Sequence, residues 1–131
     1  MADHPNADLI RRLFAAFAAA DLATITAVIP DDAVWNFPGR RGQLAGRHVG
    51  REAILQFLLK VGALTNATFH LDLIDVVAGD RNAAALFRGH AERNGKQLDN
   101  PTCLHFALRD GRVAEIWEYV WDLEHVEDFW E

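Results

Sequence analysis

The sequence has little of what marks secreted, membrane-bound or nucleic-acid-binding proteins. Its 131 residues include one cysteine, Cys103, which excludes an intramolecular disulfide. The hydrophobic runs stay well short of the roughly 18 residues of a membrane-spanning helix, and Met1–Asn6 lacks the basic and apolar regions of a signal peptide. The net charge of −6 disfavours nucleic acid and anionic membrane as partners. We therefore expect a cytoplasmic protein.

The composition is that of an ordinary globular protein, with 50% hydrophobic and 24% charged residues. A chain of 131 residues suits one domain, so we expect a single domain over residues 1–131. The sequence holds no glycine motif that indicates a nucleotide and no His/Asp/Glu spacing that indicates a metal. We accordingly expect no cofactor and no metal.

The first half of the sequence is predominantly helical in pattern. We predict helices over 7–20, 22–29 and 51–61, a strand over 33–37 and a glycine-rich loop over 40–50. Asp21 is a suitable cap for the second helix, and Pro30 ends it. The apolar residues of the first and third helices recur at spacings of three and four, which predicts one buried face on each.

The second half of the sequence predicts strands joined by tight turns. We predict strands over 69–78, 82–93, 96–109 and 112–122, and a short helix in the tail over 123–131. Asn94-Gly95 and Asp110-Gly111 are strong signals for two-residue hairpin turns. The order α-α-β-α-β-β-β-β predicts an α+β fold with a curved antiparallel sheet.

Three motifs at fixed places in this order carry a family resemblance. They are the segments PDDAVW at 30–35, GRHVGREAILQF at 46–57 and DGRVAEIWEY at 110–119. With them the chain resembles the NTF2-like superfamily, and within it the SnoaL-like and ketosteroid-isomerase-like domains. The resemblance implies a cone-shaped α+β barrel around one apolar pocket that takes a small hydrophobic ligand. The fold itself does not define the activity.

The last hairpin can be divided into two faces by strand alternation. A regular pairing from Asp110-Gly111 places His105 opposite Ile116 and Cys103 opposite Glu118. The resemblance implies that this face lines the pocket. The residues that we expect around the ligand are Leu13, Phe17, Trp35, Phe37, Phe57, Leu58, His70, Phe87, Cys103, Ile116 and Val120.

Glu118 and His105 are the candidate catalytic residues. A carboxyl among apolar side chains should have a raised pKa, which suits a general base or acid near neutral pH. SnoaL-like cyclases carry an acidic catalytic residue at the aligned position of Glu118 and a histidine near that of His105. The alternatives are a solvated Glu118 and a core histidine bonded to backbone or water. His70 and Asp72 could face the cavity or solvent, and solvent is the better expectation.

The chain departs from the ketosteroid isomerases at each position that their chemistry needs. Phe37, Leu13, Leu58 and Cys103 stand where those enzymes carry acids and tyrosines, so we reject steroid isomerase activity. The resemblance leaves isomerisation, cyclisation or dehydration of an apolar oxygenated metabolite. The alternative is a non-catalytic binding or dimerisation module.

The opposite face of the last hairpin carries an aromatic stripe. Its members are Leu104, Phe106, Trp117, Tyr119 and Trp121. A monomer does not usually leave such a patch in water, and members of the family often pair through the outside of the sheet. We therefore expect a homodimer, unless this stripe is itself the core.

Overall fold

Four helices accompany a sheet in the computed structural model, which describes residues 3–131. Residues 1 and 2, part of the predicted domain 1–131, lie outside the described residues. The helices are α1 (Pro5–Ala19), α2 (Leu22–Val28), α3 (Arg51–Leu64) and α4 (Leu123–Trp130). The strands are β1 (Val34–Phe37), β2 (Gly46–Val49), β3 (His70–Ala78), β4 (Asn82–Arg93), β5 (Lys96–Arg109) and β6 (Arg112–Val120).

The helices form where the sequence places apolar stripes and caps. Leu9, Ile10, Leu13 and Phe14 lie on one side of α1 and are buried in the core. The Asp21 side chain accepts a hydrogen bond from the Thr24 backbone N–H at 3.2 Å and so caps α2. The three predicted helices and the predicted tail helix are all present. None of the helices within residues 3–131 is long and apolar enough to cross a membrane.

The six strands form one curved, unclosed sheet in the order β2-β1-β6-β5-β4-β3. Most neighbours are antiparallel, as predicted, but β1 runs parallel to β6, so the sheet is mixed. The segment 46–49 was predicted as loop and instead forms β2, which pairs with β1 at the sheet edge. The predicted α+β class and its cone-shaped arrangement are confirmed.

The two predicted hairpin turns both form. Asn94 and Gly95 have φ of 52° and 76°, and Asp110 and Gly111 have φ of 54° and 73°. Two consecutive positive φ values define the type I′ turn that matches the twist of the flanking strands. On β4, the alternation places Phe87 inside and Arg88 outside, as expected.

A β-bulge interrupts the last hairpin and changes which residues of β5 and β6 lie opposite each other. Leu108 pairs with Val113, but Ala107 pairs with Glu115, which leaves Ala114 as an extra residue on β6. Beyond the bulge, Leu104 lies opposite Glu118 and His105 lies opposite Trp117. The predicted pairing of His105 with Ile116 and of Cys103 with Glu118 is therefore wrong by one residue.

The C-terminal helix is tied to the sheet by the β4–β5 hairpin. Arg93 Nη1 donates to the Phe129 carbonyl at 3.0 Å, and Lys96 Nζ donates to the Asp128 carbonyl at 2.6 Å. These cations satisfy carbonyls that the helix end leaves without partners. The contacts hold Val126 and Trp130 of α4 over one end of the sheet's inner face, where both are buried.

Candidate functional site

A cavity of about 470 Å³ lies between the helices and the inner face of the sheet. This volume falls within the roughly 300–1,000 Å³ that is usual for small-molecule sites. The wall is mainly aromatic and aliphatic. It includes Phe14, Phe17, Ile25, Trp35, Phe37, Leu55, Phe57, Leu58, Val61, Phe69, Leu71, Phe87, Leu98, Leu104, Val126 and Trp130. An apolar molecule therefore finds a nearly continuous apolar surface inside.

The exposed members of the wall mark the mouth of the cavity. Ala20 and Leu22 come from the α1–α2 junction, and Glu52, Gln56 and Leu59 come from α3. Leu22 and Leu59 are 60% and 67% exposed, so large apolar side chains border the opening. A ligand would enter between these two helical segments.

Glu118 is the ionisable group on the inner part of this wall. Strand β6 turns its side chain inward because it lies opposite Leu104, which is 1% exposed. Trp35 Nε1 donates a hydrogen bond to Glu118 Oε1 at 3.1 Å. Burial disfavours the charged carboxylate and raises its pKa to about 7, while the bond from Trp35 acts in the opposite direction.

Two further polar residues lie on the same wall and were missed from the sequence. Thr102 is the diagonal neighbour of Glu118 across β5 and β6, and Asn100 lies two residues beyond it. Asn100 Nδ2 donates to Thr102 Oγ1 at 2.8 Å. Asn100 is 5% exposed, and its Oδ1 has no hydrogen-bond partner among residues 3–131.

An alternation count from Leu98 would have placed Asn100 and Thr102 inside, since Leu98, Leu104 and Phe106 share their face. The regular pairing predicted for the last hairpin instead puts the opposite face of β5 on the pocket wall. That assignment therefore left Asn100 and Thr102 out of the predicted pocket.

Most of the predicted pocket residues line the cavity, and three lie elsewhere in the interior. Trp35, Phe37, Phe17, Phe57, Leu58 and Phe87 are in the wall together with Glu118. Leu13 and Ile116 are fully buried in the core and Val120 packs against it, but none of the three lines the cavity. They support the wall rather than form it.

His105 and Cys103 do not face the cavity. Both side chains point to the outer face of the sheet, because they alternate along β5 with Leu104 and Phe106, which are buried. There the His105 ring stacks on Trp117 with centroids 4.9 Å apart, and its Nε2 lies 2.8 Å from Asn82 Oδ1. The predicted acid–base pair of His105 with Glu118 is therefore wrong. Partial burial raises the pKa of the Cys103 thiol, which fits a packed, unreactive side chain.

The same shift changes the predicted outer stripe. Leu104 and Phe106 are 1% and 0% exposed and belong to the core, so their placement outside was wrong. Trp117 and Tyr119 do lie on the outer face, and Trp121 at the end of β6 is 84% exposed. The outer face therefore keeps part of the predicted aromatic surface.

His70 also lies outside the cavity, contrary to its place among the predicted ligand-binding residues. It alternates with Phe69 and Leu71, which line the wall, and its own side chain is exposed. On the outer face it joins Asp72 and His90, the one cluster of potential metal ligands found in residues 3–131. This cluster is separate from the cavity.

The remaining polar candidates have structural partners. Asp122 caps α4 by accepting a hydrogen bond from the His125 backbone N–H at 3.1 Å. Arg41 donates hydrogen bonds to Asp128 at 3.0 Å and to Glu131 at 2.7 Å. His48 Nε2 lies 2.8 Å from the Leu44 carbonyl. These residues organise the loop and α4 rather than the cavity.

The geometry can support proton transfer by one carboxyl group. A carboxyl with a pKa of about 7 is present in both protonation states near neutral pH, so it can accept a proton and return it. Thr102 and Asn100 offer a hydroxyl and an amide for oxygen-bearing groups of a ligand.

Comparisons with known proteins identify the family. The SnoaL-like domain model matches residues 10–116. An uncharacterized protein of Mycobacterium tuberculosis is 34% identical over 131 residues and covers 99% of each chain. Bal32a, from a soil-derived mobile gene cassette, matches with a TM-score of 0.92 and 38% identity over 97% of both chains.

A further solved structure is similar to this protein in fold only. It is that of a protein from Jannaschia assigned as a SnoaL-like polyketide cyclase. It matches with a TM-score of 0.78 and 17% identity over 96% of this chain and 91% of its own. The family match over most of the chain shows that this protein belongs to the SnoaL-like family of NTF2-like domains.

Proposed function

We propose that the protein is an enzyme that moves a proton on a small, largely apolar, oxygenated molecule. The observation that carries this proposal is Glu118, a desolvated carboxyl with a pKa of about 7 on the wall of an apolar cavity. Perturbed carboxyls inside clefts are typical of general acids and bases. The Jannaschia protein, which is similar in fold, is assigned as a polyketide cyclase.

Glu118 would act as the base on a carbon acid. Its carboxylate takes a proton from a C–H group next to a carbonyl, and the electron pair moves into an enolate. Return of the proton to another carbon completes an isomerisation. Attack of the enolate carbon on a second carbonyl closes a ring, and the new alkoxide takes the proton from Glu118. Departure of a β-hydroxyl with that proton, as water, gives dehydration. Trp35 orients the carboxyl by holding Oε1 at 3.1 Å.

Glu118 must serve as both base and acid, because His105 lies on the other face of the sheet. A single carboxyl can do this when its pKa lies near the working pH. Glu118 itself must therefore return the proton, and His105 takes no part in the reaction.

Thr102 and Asn100 indicate where the ligand carries its oxygens. Asn100 Oδ1 is a buried acceptor without a partner among the described residues, so a donor on the ligand would remove the cost of its burial. The Thr102 hydroxyl can donate to a carbonyl or enolate oxygen near Glu118. We infer that the substrate carries at least one hydroxyl group in addition to its carbonyl.

Proton exchange on model ketones tests this proposal without the natural substrate. Hydroxylated cyclic ketones and β-diketones are incubated with the protein in D₂O, and NMR follows deuterium uptake next to the carbonyl. We expect catalysed exchange for at least one compound and a loss of about 10²-fold or more in Glu118→Gln. Glu92→Gln, which removes an exposed carboxyl on β4, should leave the rate unchanged.

Exchange at the wild-type rate in Glu118→Gln would contradict the mechanism. Saturable binding of the same ketones to the wild type without any exchange would instead identify a non-catalytic binding module. In that case Glu118 and Asn100 would orient a ligand and transform nothing.

A further inference from the structure

The outer face of the sheet carries two histidines and a carboxylate that converge across neighbouring strands. His70 on β3 lies directly opposite His90 on β4, and Asp72 follows two residues after His70 on the same face. One potential ligand atom from each residue lies within 4.8 Å of the others. We propose that His70, Asp72 and His90 form a binding site for a divalent transition-metal ion, with Zn²⁺ the best match.

The distances fit a shared metal with small side-chain rotations. His90 Nε2 lies 3.1 Å from Asp72 Oδ2, close to the separation of two ligands on one ion with bonds of about 2.0–2.2 Å. The His70 and His90 rings are stacked, with centroids 5.0 Å apart and an angle of 19° between their planes. The extended backbones of two paired strands hold all three side chains on one surface.

The Nδ1 atoms of both histidines lie near oxygen atoms of neighbouring residues. His70 Nδ1 lies 3.3 Å from the Thr68 carbonyl, and donation to that oxygen leaves Nε2 free as a ligand. His90 Nδ1 lies 3.9 Å from Asp99 Oδ1, which Arg88 Nε holds at 2.7 Å. A carbonyl hydrogen-bonded behind a ligating histidine, as Thr68 is to His70, fixes the tautomer of the ring and increases its basicity.

The set of donors indicates which ions would bind. Two imidazoles and one carboxylate suit Zn²⁺ and neighbouring transition metals, whereas Mg²⁺ and Ca²⁺ prefer oxygen ligands alone. Three protein ligands leave the fourth tetrahedral position to water. Because the Asp72 side chain is 70% exposed, we expect micromolar rather than structural affinity.

The site was not visible as a sequence motif. His70 and His90 are separated by the turn between β3 and β4, and the strand register brings them together. The proposed metal site lies on the face of the sheet opposite the cavity wall, so it is independent of Glu118. A failure of zinc binding would therefore leave the proposed enzyme activity unaffected.

Zinc binding to the untagged, metal-free protein tests this inference. Isothermal titration with Zn²⁺ should give one saturable site with a Kd on the order of 10 µM. His70→Ala and His90→Ala should each weaken binding by about tenfold or more, as loss of a ligand from a three-residue site requires. Circular dichroism checks that these surface variants keep the fold.

His4→Ala is the matched control, because His4 also contacts a carboxylate but is not part of a three-residue cluster. His4 Nε2 lies 2.9 Å from Asp80 Oδ1, and its loss should leave zinc affinity unchanged. Absence of saturable binding, or equal affinity in His70→Ala, His90→Ala and the wild type, would overturn the proposal. Tighter binding of Mg²⁺ than of Zn²⁺ would also contradict it.

Discussion

Two glutamates in this chain show how surroundings set the chemistry of one residue type. Glu118 lies on an apolar wall with one hydrogen-bond donor, and desolvation raises its pKa to about 7. Glu127 on α4 accepts from the backbone N–H groups of Arg40 and Arg41 at 2.9 and 3.0 Å, which lower its pKa. Glu127 is therefore an anionic structural group, while Glu118 is poised to exchange a proton.

The raised pKa of Glu118 makes folding stability depend on pH. The carboxyl titrates near 4.5 when unfolded and at about 7 when folded, so the folded state holds the extra proton between these values. The free energy of unfolding should therefore fall as pH rises from about 4.5 through 7, by roughly 3 kcal/mol in total. The contribution is fully present below the lower value and lost above the higher one.

Glu118→Gln should remove this pH dependence, since the amide does not ionise. Urea unfolding at a series of pH values should show the variant more stable than wild type at about pH 8, with the difference shrinking toward acid pH. Glu92→Gln, on the exposed side of β4, should follow the wild-type curve. Parallel curves for Glu118→Gln and the wild type would show that the carboxyl is solvated.

The turn signals and the alternation of apolar and polar residues predicted most of the strands of the sheet. Asp110-Gly111 set the closed end of the last hairpin correctly, and Glu118 faces inward as expected. The bulge at Ala114 carries no glycine or other recognisable signal, and it shifts the pairing of β5 by one residue. β5 itself alternates regularly, so a pairing counted from an inward Glu118 without the bulge assigns the wrong face of β5 to the core. This is why His105 was misplaced and Thr102 was missed.

Strand β2 escaped prediction for a different reason. It has four residues, and glycines stand at its start and just after its end. Three of its four residues are exposed, so the sequence shows none of the alternation that a half-buried strand requires. Its place is fixed by hydrogen bonds to β1, which a single sequence does not reveal.

Two neighbouring residues of β5 test the bulged register directly. Leu104 is 1% exposed in the core, whereas His105 lies on the outer face. We expect Leu104→Ala to lower the free energy of unfolding by about 2–5 kcal/mol, because it opens a void in the core. His105→Ala should cost roughly 1 kcal/mol or less. If denaturant unfolding showed a larger loss for His105→Ala than for Leu104→Ala, the pairing without a bulge would be the correct one.

At the scale of the whole molecule, we propose that two copies pair through the outer face of the sheet. Leu86 and Cys103 lie in register with Tyr119 across β4, β5 and β6, and Trp117 is the next outward residue on β6. Tyr119 is 57% exposed and Leu86 is 39% exposed in the single chain. Burial of such a patch against a second copy would remove apolar surface from water.

Light scattering coupled to size exclusion should report a dimer at micromolar concentration. Tyr119→Glu should give a monomer, because it places a charge within the patch. Leu59→Glu is the control, since Leu59 is a large apolar side chain that is 67% exposed and lies on α3 rather than on the sheet. A wild-type monomer independent of concentration would contradict the proposed pairing.

The Glu118 carboxyl on the wall of the apolar cavity should titrate near neutral pH. Carbon-13 NMR of the side-chain carboxyl, assigned by its absence in Glu118→Gln, measures this titration directly. We predict a midpoint at about 7. A midpoint near 4.5, the ordinary value of a solvated glutamate, would show that the carboxyl is hydrated and would remove the basis for its role as a general base.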